Sequence, residues 1–307
     1  MSAPDSQKII LGSRGSELAR RQTAMVEAAL RQSWPDLEVV TQIISTRGDV
    51  RTSEPLDPRA GRKGLFTGEI ERALAAGEID VAVHSAKDLP SEMTRGLEIS
   101  ATLPRAPIED VLIQKESLSH QVVMATGSVR RQHQLRWTFS GIEIVDLRGN
   151  VPTRLRKFVE SDWHAIVLAR AGLERLGYDD LVGGFLDFEG VQLRAFILSP
   201  DHFIPAGGQG IVALQVRADD EAAGGIVRAI DDRDTSVCLE AEREFLRLLQ
   251  GDCGSPVGVL ATLSRSTMIV QAQVFEPPRV EPRTARVEGD ASTPKKLAME
   301  LWERING

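Results

Sequence analysis

Lys87 and Asp88 stand side by side shortly after a short apolar run, Val81-Ala82-Val83, and Pro90 stops any regular continuation. The run has the pattern of a buried parallel strand. In open α/β sheets, ligands bind outside the carboxyl ends of the strands. An ammonium and a carboxylate are therefore presented together where a ligand would sit, although a solvated loop would suit the same pair. His84, beside them, is either catalytic or a packed neighbour. Four other strand ends carry arginine: Arg14; Arg130 and Arg131; Arg148 and Arg154; Arg170. Guanidinium groups bind carboxylate or phosphate in bidentate fashion, so this recurrence at one sheet edge implies a ligand with several anionic groups. No Walker-type Gly-Lys-Ser/Thr and no G-x-G-x-x-G follows a strand, which favours a polycarboxylate over a nucleotide. Cys253, in the glycine-flanked loop Gly251-Asp252-Cys253-Gly254, is an accessible thiol, either structural or a nucleophile or attachment point. Cys238 lies in a helix pattern and reads as a small buried hydrophobe.

The elements that must position these groups follow from periodicity. Residues 8–11 read as a strand, followed by the loop Gly12-Ser13-Arg14-Gly15-Ser16 and a helix with Leu18, Met25, Val26, Ala29 and Leu30 on one face. Ser16 is its N-cap, and a Gly/Ser loop entering a helix is an anion site by geometry. Residues 39–44 form a second strand. Residues 49–63 are polar, aperiodic and rich in Pro, Gly and Arg, the pattern of a lid or of a plain surface loop. Lys63-Gly64-Leu65-Phe66 leads into a helix with Ile70, Ala73 and Leu74 inward. Residues 99–103 form another strand and 104–107 a hinge. The same grammar returns at 122–125, 144–147 and 165–169, each a strand followed by a small-residue loop and a helix, with Pro152 in one first turn. Repeated strand–helix units predict a mainly parallel sheet. The glycine-rich 203–210 precedes a strand at 211–216 that returns the chain to the first region. From Asp220 the composition changes. A helix at 237–249, strands at 257–263, 268–275 and 284–287, and a closing helix at 294–305 follow.

The chain has 307 residues, enough for two or three domains, with 42% hydrophobic and 26% charged residues, as in a globular enzyme. A formal net charge of −7 favours neither nucleic acid nor an anionic membrane as partner. Two cysteines are too few for a disulfide framework, and the five histidines lack metal-ligand spacing, so no metal is expected. The polar N-terminus, residues 1–8, and the lack of any membrane-length apolar run predict a cytoplasmic protein.

In chain order, eight motifs resemble one family, porphobilinogen deaminase, also called hydroxymethylbilane synthase. They are Ser13-Arg14-Gly15-Ser16-Glu17-Leu18-Ala19, Thr46-Arg47-Gly48-Asp49, Lys63-Gly64-Leu65-Phe66, Val83-His84-Ser85-Ala86-Lys87-Asp88-Leu89-Pro90, Gly127-Ser128-Val129-Arg130-Arg131-Gln132, Leu147-Arg148-Gly149-Asn150-Val151 with Thr153-Arg154-Leu155, Pro205-Ala206-Gly207-Gly208-Gln209-Gly210, and Cys253 before Pro256. The resemblance implies an α/β fold of two periplasmic-binding-protein-like lobes with mainly parallel sheets, plus a small C-terminal α/β domain. Lobe one is expected at 1–104 with 205–220, lobe two at 105–204, and the third domain at 221–307. The implied reaction joins four porphobilinogen molecules head to tail into hydroxymethylbilane with loss of ammonia at each addition, in tetrapyrrole biosynthesis.

The same resemblance implies a dipyrromethane cofactor held by a thioether to Cys253. It places Asp88 as the catalytic group. Lys87, Asp88, Ser128, Arg130, Arg131 and Arg148 fall to the cofactor; Arg14, Ser16, Arg148, Arg154, Phe66 and Gln209 fall to substrate. Each pyrrole carries an acetate and a propionate, so the growing chain is the polyanion that the arginines require, and residues 49–62 become the lid. A monomer that hands its product to uroporphyrinogen-III synthase is also implied. The chain departs from the family's pattern at Glu17, usually proline, and at Arg170, usually small or apolar. It departs again at the acidic Tyr178-Asp179-Asp180-Leu181, where a basic residue is common; Arg170 or Arg194 is the expected substitute. Residues 178–204 are also longer than usual. The residues alone leave two other readings: a binding protein gripping a polyanion without turnover, and a thiol enzyme using Cys253. The latter would need a general base, and no histidine follows His202.

Overall fold

The computed structural model describes residues 8–46, 67–115, 122–250 and 255–307. The chain runs β1 (Lys8–Arg14), α1 (Glu17–Ser33), β2 (Glu38–Ile44), α2 (Gly68–Ala75), β3 (Val81–Ser85), a 3-10 turn (Ala86–Asp88), β4 (Leu97–Thr102) and β5 (Asp110–Gln114). It continues through β6 (Val123–Ala125), α3 (Val129–Thr138), β7 (Glu143–Val145), α4 (Val151–Glu160), β8 (Ala165–Ala169), α5 (Arg170–Arg175), β9 (Phe185–Phe188) and β10 (Val191–Ile197). The last third comprises β11 (Val212–Arg217), α6 (Glu221–Arg228), α7 (Arg233–Leu248), β12 (Val257–Ser264), β13 (Thr267–Val274), β14 (Arg283–Asp290) and α8 (Pro294–Asn306).

Three sheets organise these elements into a mixed α/β fold. The first has the order β2-β1-β3-β11-β4. β1 is parallel to β2 and β3, and β11 enters antiparallel between β3 and β4. The second has the order β7-β6-β8-β5-β10-β9, with β6 parallel to β7 and β8 and antiparallel pairing from β8 onward. The third is the antiparallel meander β12-β13-β14, backed by α7 and α8 through Phe245, Leu297 and Leu301. The expected strand–helix units are the parallel half of each large sheet. The two large sheets are completed by antiparallel strands: β5 and β11 pair with segments far along the chain, and β9 pairs with β10 as a hairpin.

Several boundaries differ from expectation for physical reasons. β1 runs on to Arg14 because its register with β2 continues to Arg14↔Ile44 and Ser13 is fully buried, so the loop before α1 is only Gly15-Ser16. The buried stripe of α1 is Gln22, Thr23, Val26 and Leu30, whereas Met25 is 40% exposed, one 100° step off the stripe. α7 begins at Arg233, four residues early, because Asp232 accepts the Thr235 amide as its cap. β5, β9, β10 and α6 lie where no element was expected. β9 and β10 form the hairpin that accounts for the length of 178–204.

The two large sheets and the meander meet at one buried carboxylate. Glu242 of α7 accepts from both Arg105 terminal nitrogens (2.6 and 3.2 Å), from the Gly208 amide (2.6 Å) and from the Ala261 amide (2.8 Å). Arg105 lies in the hinge after β4, Gly208 in the crossing before β11, and Ala261 in β12. Among the described residues no helix is long and apolar enough to cross a membrane.

Candidate functional site

β1 and β3 are parallel neighbours in register at Leu11↔Val81 and Gly12↔Ala82, so their carboxyl ends emerge together. Arg14 closes β1 and the 3-10 turn carrying Lys87 and Asp88 follows β3. Arg14 Nη1 consequently lies 4.0 Å from Asp88 Oδ2, with the Asp88 side chain 36% exposed. Ser16 caps α1, its Oγ accepting the Ala19 amide at 3.3 Å. The turn rests on the crossing segment. Gly208 has φ +75°, and a Cβ there would lie 2.9 Å from Ala86 C and Lys87 N; the Ala86 amide donates to Ile211 O at 3.0 Å. Only glycine satisfies both the left-handed φ and the close approach.

Lys87 is half-buried, and its pKa falls to about 8. Burial is the main cause, then repulsion from Arg131 and Arg130, opposed by Asp88 and Asp110. The lysine of the first sheet thus sits in the field of the second sheet's arginines. His84 is a packed neighbour: burial lowers its pKa to about 4, and its Nε2 pairs with Gln215 Oε1 at 3.0 Å.

On the second sheet, Ser128 caps α3 by accepting the Arg131 amide at 3.5 Å. Arg130 and Arg131 turn inward, 4% and 5% exposed, and both end on the fully buried Asp110. Gln209 joins them, its Nε2 donating to Asp110 Oδ1 (3.0 Å) and Ile108 O (2.7 Å). Burial by itself would raise the Asp110 pKa, but Arg130 and Arg131 outweigh it and hold the carboxyl well below the usual range. One strand further out, Arg148 pairs with Asp146, and Arg154 Nε donates to Gly149 O at 2.7 Å beside the Asn150 cap of α4. The two sheets close on each other here: a Cβ on Gly172 of α5 would lie 3.6 Å from Leu18 of α1 and 3.8 Å from Val151 of α4.

Arg170, one of the two expected substitutes, pairs with Glu174 (2.6 Å) and Glu109 (3.4 Å) through Nε and Nη1. Arg194 is exposed on β10, opposite Gln114, on the far side of the sheet order from the β6–β8 ends. Two residues that sequence reasoning did not name contact these groups or the crossing beside them. Asp110 opens the run Val111-Leu112-Ile113, and an acid leading a buried strand was the available signal. Arg175 closes α5 with its Nη2 on Gly210 O at 2.7 Å. Arg130 Nε, Arg131 Nε, Arg175 Nε and Gln209 Oε1 are buried without a hydrogen-bond partner among the described residues. Glu109 Oε2 is left over in the same way, and among the described residues Asp110 Oδ2 has only its 2.8 Å ion pair with Arg130; the guanidinium N–H donors among these groups suit a ligand bearing carboxylates. Phe66, Cys253 and the 49–62 loop lie outside the described residues. Among the described residues no cluster of His, Cys, Asp or Glu could hold a metal ion.

Comparison with known proteins places this arrangement. Residues 9–224 match the family model "Porphobilinogen deaminase, dipyromethane cofactor binding domain", and residues 236–306 match "Porphobilinogen deaminase, C-terminal domain". The chain is 41% identical over 273 residues to the porphobilinogen deaminase of Roseiflexus sp. (strain RS-1), covering 87% of this chain and 86% of that one. It is 38% identical over 302 residues to that of Roseiflexus castenholzii, covering 97% and 95%. Among solved structures it is similar to the methionine binding protein MetQ, at 12% identity and a TM-score of 0.45, over 76% of this chain and 93% of that one.

Proposed function

This chain belongs to the porphobilinogen deaminase family, and on that premise we propose how its own residues carry the family's reaction. It is an enzyme, a transferase that condenses porphobilinogen into hydroxymethylbilane with release of ammonia in tetrapyrrole biosynthesis. Residues 1–104 with 205–220 are the lobe of the catalytic acid, 105–204 the lobe of the arginines, and 221–307 the domain that brings Cys253.

The matched family model is that of a dipyrromethane cofactor domain, and the buried donors Arg130 Nε, Arg131 Nε and Arg175 Nε, without a hydrogen-bond partner among the described residues, fit a carboxylate-bearing group of that kind. Cys253 holds it by a thioether, and Lys87, Ser128, Arg130, Arg131 and Arg148 surround its carboxylates. When bound, that cofactor supplies the pyrrole on which the product chain is built. Arg14, Ser16, Arg148 and Arg154 receive the acetate and propionate groups of incoming substrate, Gln209 Oε1 is an acceptor for a substrate N–H, and Phe66 packs against a pyrrole ring.

Asp88 carries the chemistry. Its carboxyl first keeps a proton on the leaving amine. As ammonia departs, the carboxylate stabilises the resulting substrate cation, and it then accepts the proton released when the new carbon–carbon bond forms. The observation that carries this reading is the placement of Asp88 in the turn after β3, 4.0 Å from Arg14, with Lys87 beside it in the field of Arg130 and Arg131. The protein acts as a cytoplasmic monomer that passes its product to uroporphyrinogen-III synthase.

The test is the intact mass of the purified protein beside that of Cys253→Ala. An excess of two pyrrole units on the parent, absent from the variant, is expected. A parent mass that stays unmodified after incubation with porphobilinogen overturns the assignment. Asp88→Asn should keep the adduct and lose about a hundredfold or more in turnover, the scale of a lost general acid–base.

A further inference from the structure

Asp110 is the first residue of β5 and is fully buried. Its Oδ1 accepts from Arg131 Nη2 (2.6 Å) and Gln209 Nε2 (3.0 Å), and its Oδ2 lies 2.8 Å from Arg130 Nη2. Among the described residues the remaining hydrogen bonds of the two guanidinium groups go to neutral acceptors. Arg130 Nη1 donates to Gln134 Oε1 (2.8 Å) and Ile204 O (3.0 Å), and Arg131 Nη1 to Val167 O (2.9 Å). A single negative charge therefore answers two buried positive ones, and one unit of positive charge is left over where water does not screen it. Gln209 follows Gly208, whose backbone packs on Ala86 and Lys87.

We propose that Asp110 is a positioning residue of the anion site. Its one carboxylate locks Arg130 and Arg131 into a rigid pair with a single surplus charge, and through Gln209 it ties that pair to the crossing that supports the Lys87–Asp88 turn. The proposal rests on the polyanion reading above. Without the carboxylate, two buried guanidinium groups would face each other and Lys87 uncompensated. An ionised carboxylate shared by two arginines is a strong acceptor that an amide of the same shape does not replace. Among the groups that act on Lys87 are Asp88 on its own turn, Asp110 on β5, and Arg130 and Arg131 on α3. Removing the Asp110 charge subtracts an attraction that keeps the lysine protonated.

The experiment is the pH dependence of Lys87 acylation by acetic anhydride, followed by peptide mass mapping on the intact purified protein and on Asp110→Asn. The midpoint of the variant should lie roughly one pH unit below that of the parent, the scale of a lost neighbouring charge. KM for porphobilinogen should rise about tenfold, as for one lost charge-assisted contact, with a smaller change in kcat. Asp110→Glu, which keeps the charge, should return the midpoint toward that of the parent. A folded Asp110→Asn protein with an unshifted midpoint overturns the proposal. If that variant does not fold, the charge-balanced Asp110→Asn/Arg131→Gln protein carries the test: it should fold and titrate near the parent value, and failure to recover folding overturns the proposal equally. The midpoint is read at Lys87 and the adduct at Cys253, so failure of this inference and failure of the functional reading are separate results.

Discussion

At Lys87 a cation is held at the edge of neutrality. Its pKa of about 8 lies below the ordinary lysine value because burial and then Arg131 disfavour the charged form. Below that pH the ammonium is present and attracts carboxylates; as pH rises through 8 the charge is lost in the free protein. The kcat/KM for porphobilinogen should accordingly fall as pH rises through about 8, and Lys87→Arg, whose charge does not titrate there, should move the fall upward. A pH–rate profile of the two proteins checks this, and an identical alkaline limb in both would assign it to another group. The identities of Lys87, Asp88 and the arginines were legible in the sequence, because residue type is chemistry. Their partners were not. That Arg130 and Arg131 share Asp110, and that Arg170 also meets Glu109, depends on residues far away along the chain, whereas the Arg170–Glu174 pair is one helical turn apart.

At the scale of elements, the site is an alignment of strand ends. β1 and β3 are parallel neighbours, so Arg14 and Asp88 share an edge. The crossing before β11 then acts as a floor beneath the Lys87–Asp88 turn. Gly208→Ala tests this floor, since a methyl group there meets backbone at 2.9 Å and the φ of +75° is strained for alanine. A loss of about 1–3 kcal/mol in unfolding free energy is expected from the strain, with a larger proportional loss of turnover because Ala86 and Lys87 must shift. Denaturant unfolding and kcat measured on one preparation distinguish the two effects; undiminished turnover would show that the crossing does not position the turn. The helix caps at Ser16, Ser128 and Asn150 sit within three residues of the amides they satisfy. That is why a cap such as Ser16 could be read locally, whereas β5, which pairs with β8 and β10 far along the chain, could not.

Across the whole molecule, three sheets are held in one arrangement by Glu242, which no solvent reaches and which four donors from the hinge, the crossing and β12 satisfy. Glu242→Gln would leave Arg105 and its surroundings uncompensated, a change of about 3–5 kcal/mol for a broken buried pair. A lowered thermal midpoint is the expected readout, and paired replacement of Arg105 and Glu242 by apolar residues should cost less than Glu242→Gln alone. By itself the sequence determined the strand–helix units, the residue types at their ends and, through eight ordered motifs, the family, because apolar periodicity and side-chain chemistry are local properties. Tertiary structure alone decided that β11 inserts between β3 and β4, that Gln209 faces Asp110, and that Arg175 Nε is buried without a hydrogen-bond partner among the described residues. Those outcomes turn on register and burial between segments far apart in the chain. There the free energy of pairing a charge or a strand edge depends on which groups water has left, and no stretch of residues records that on its own.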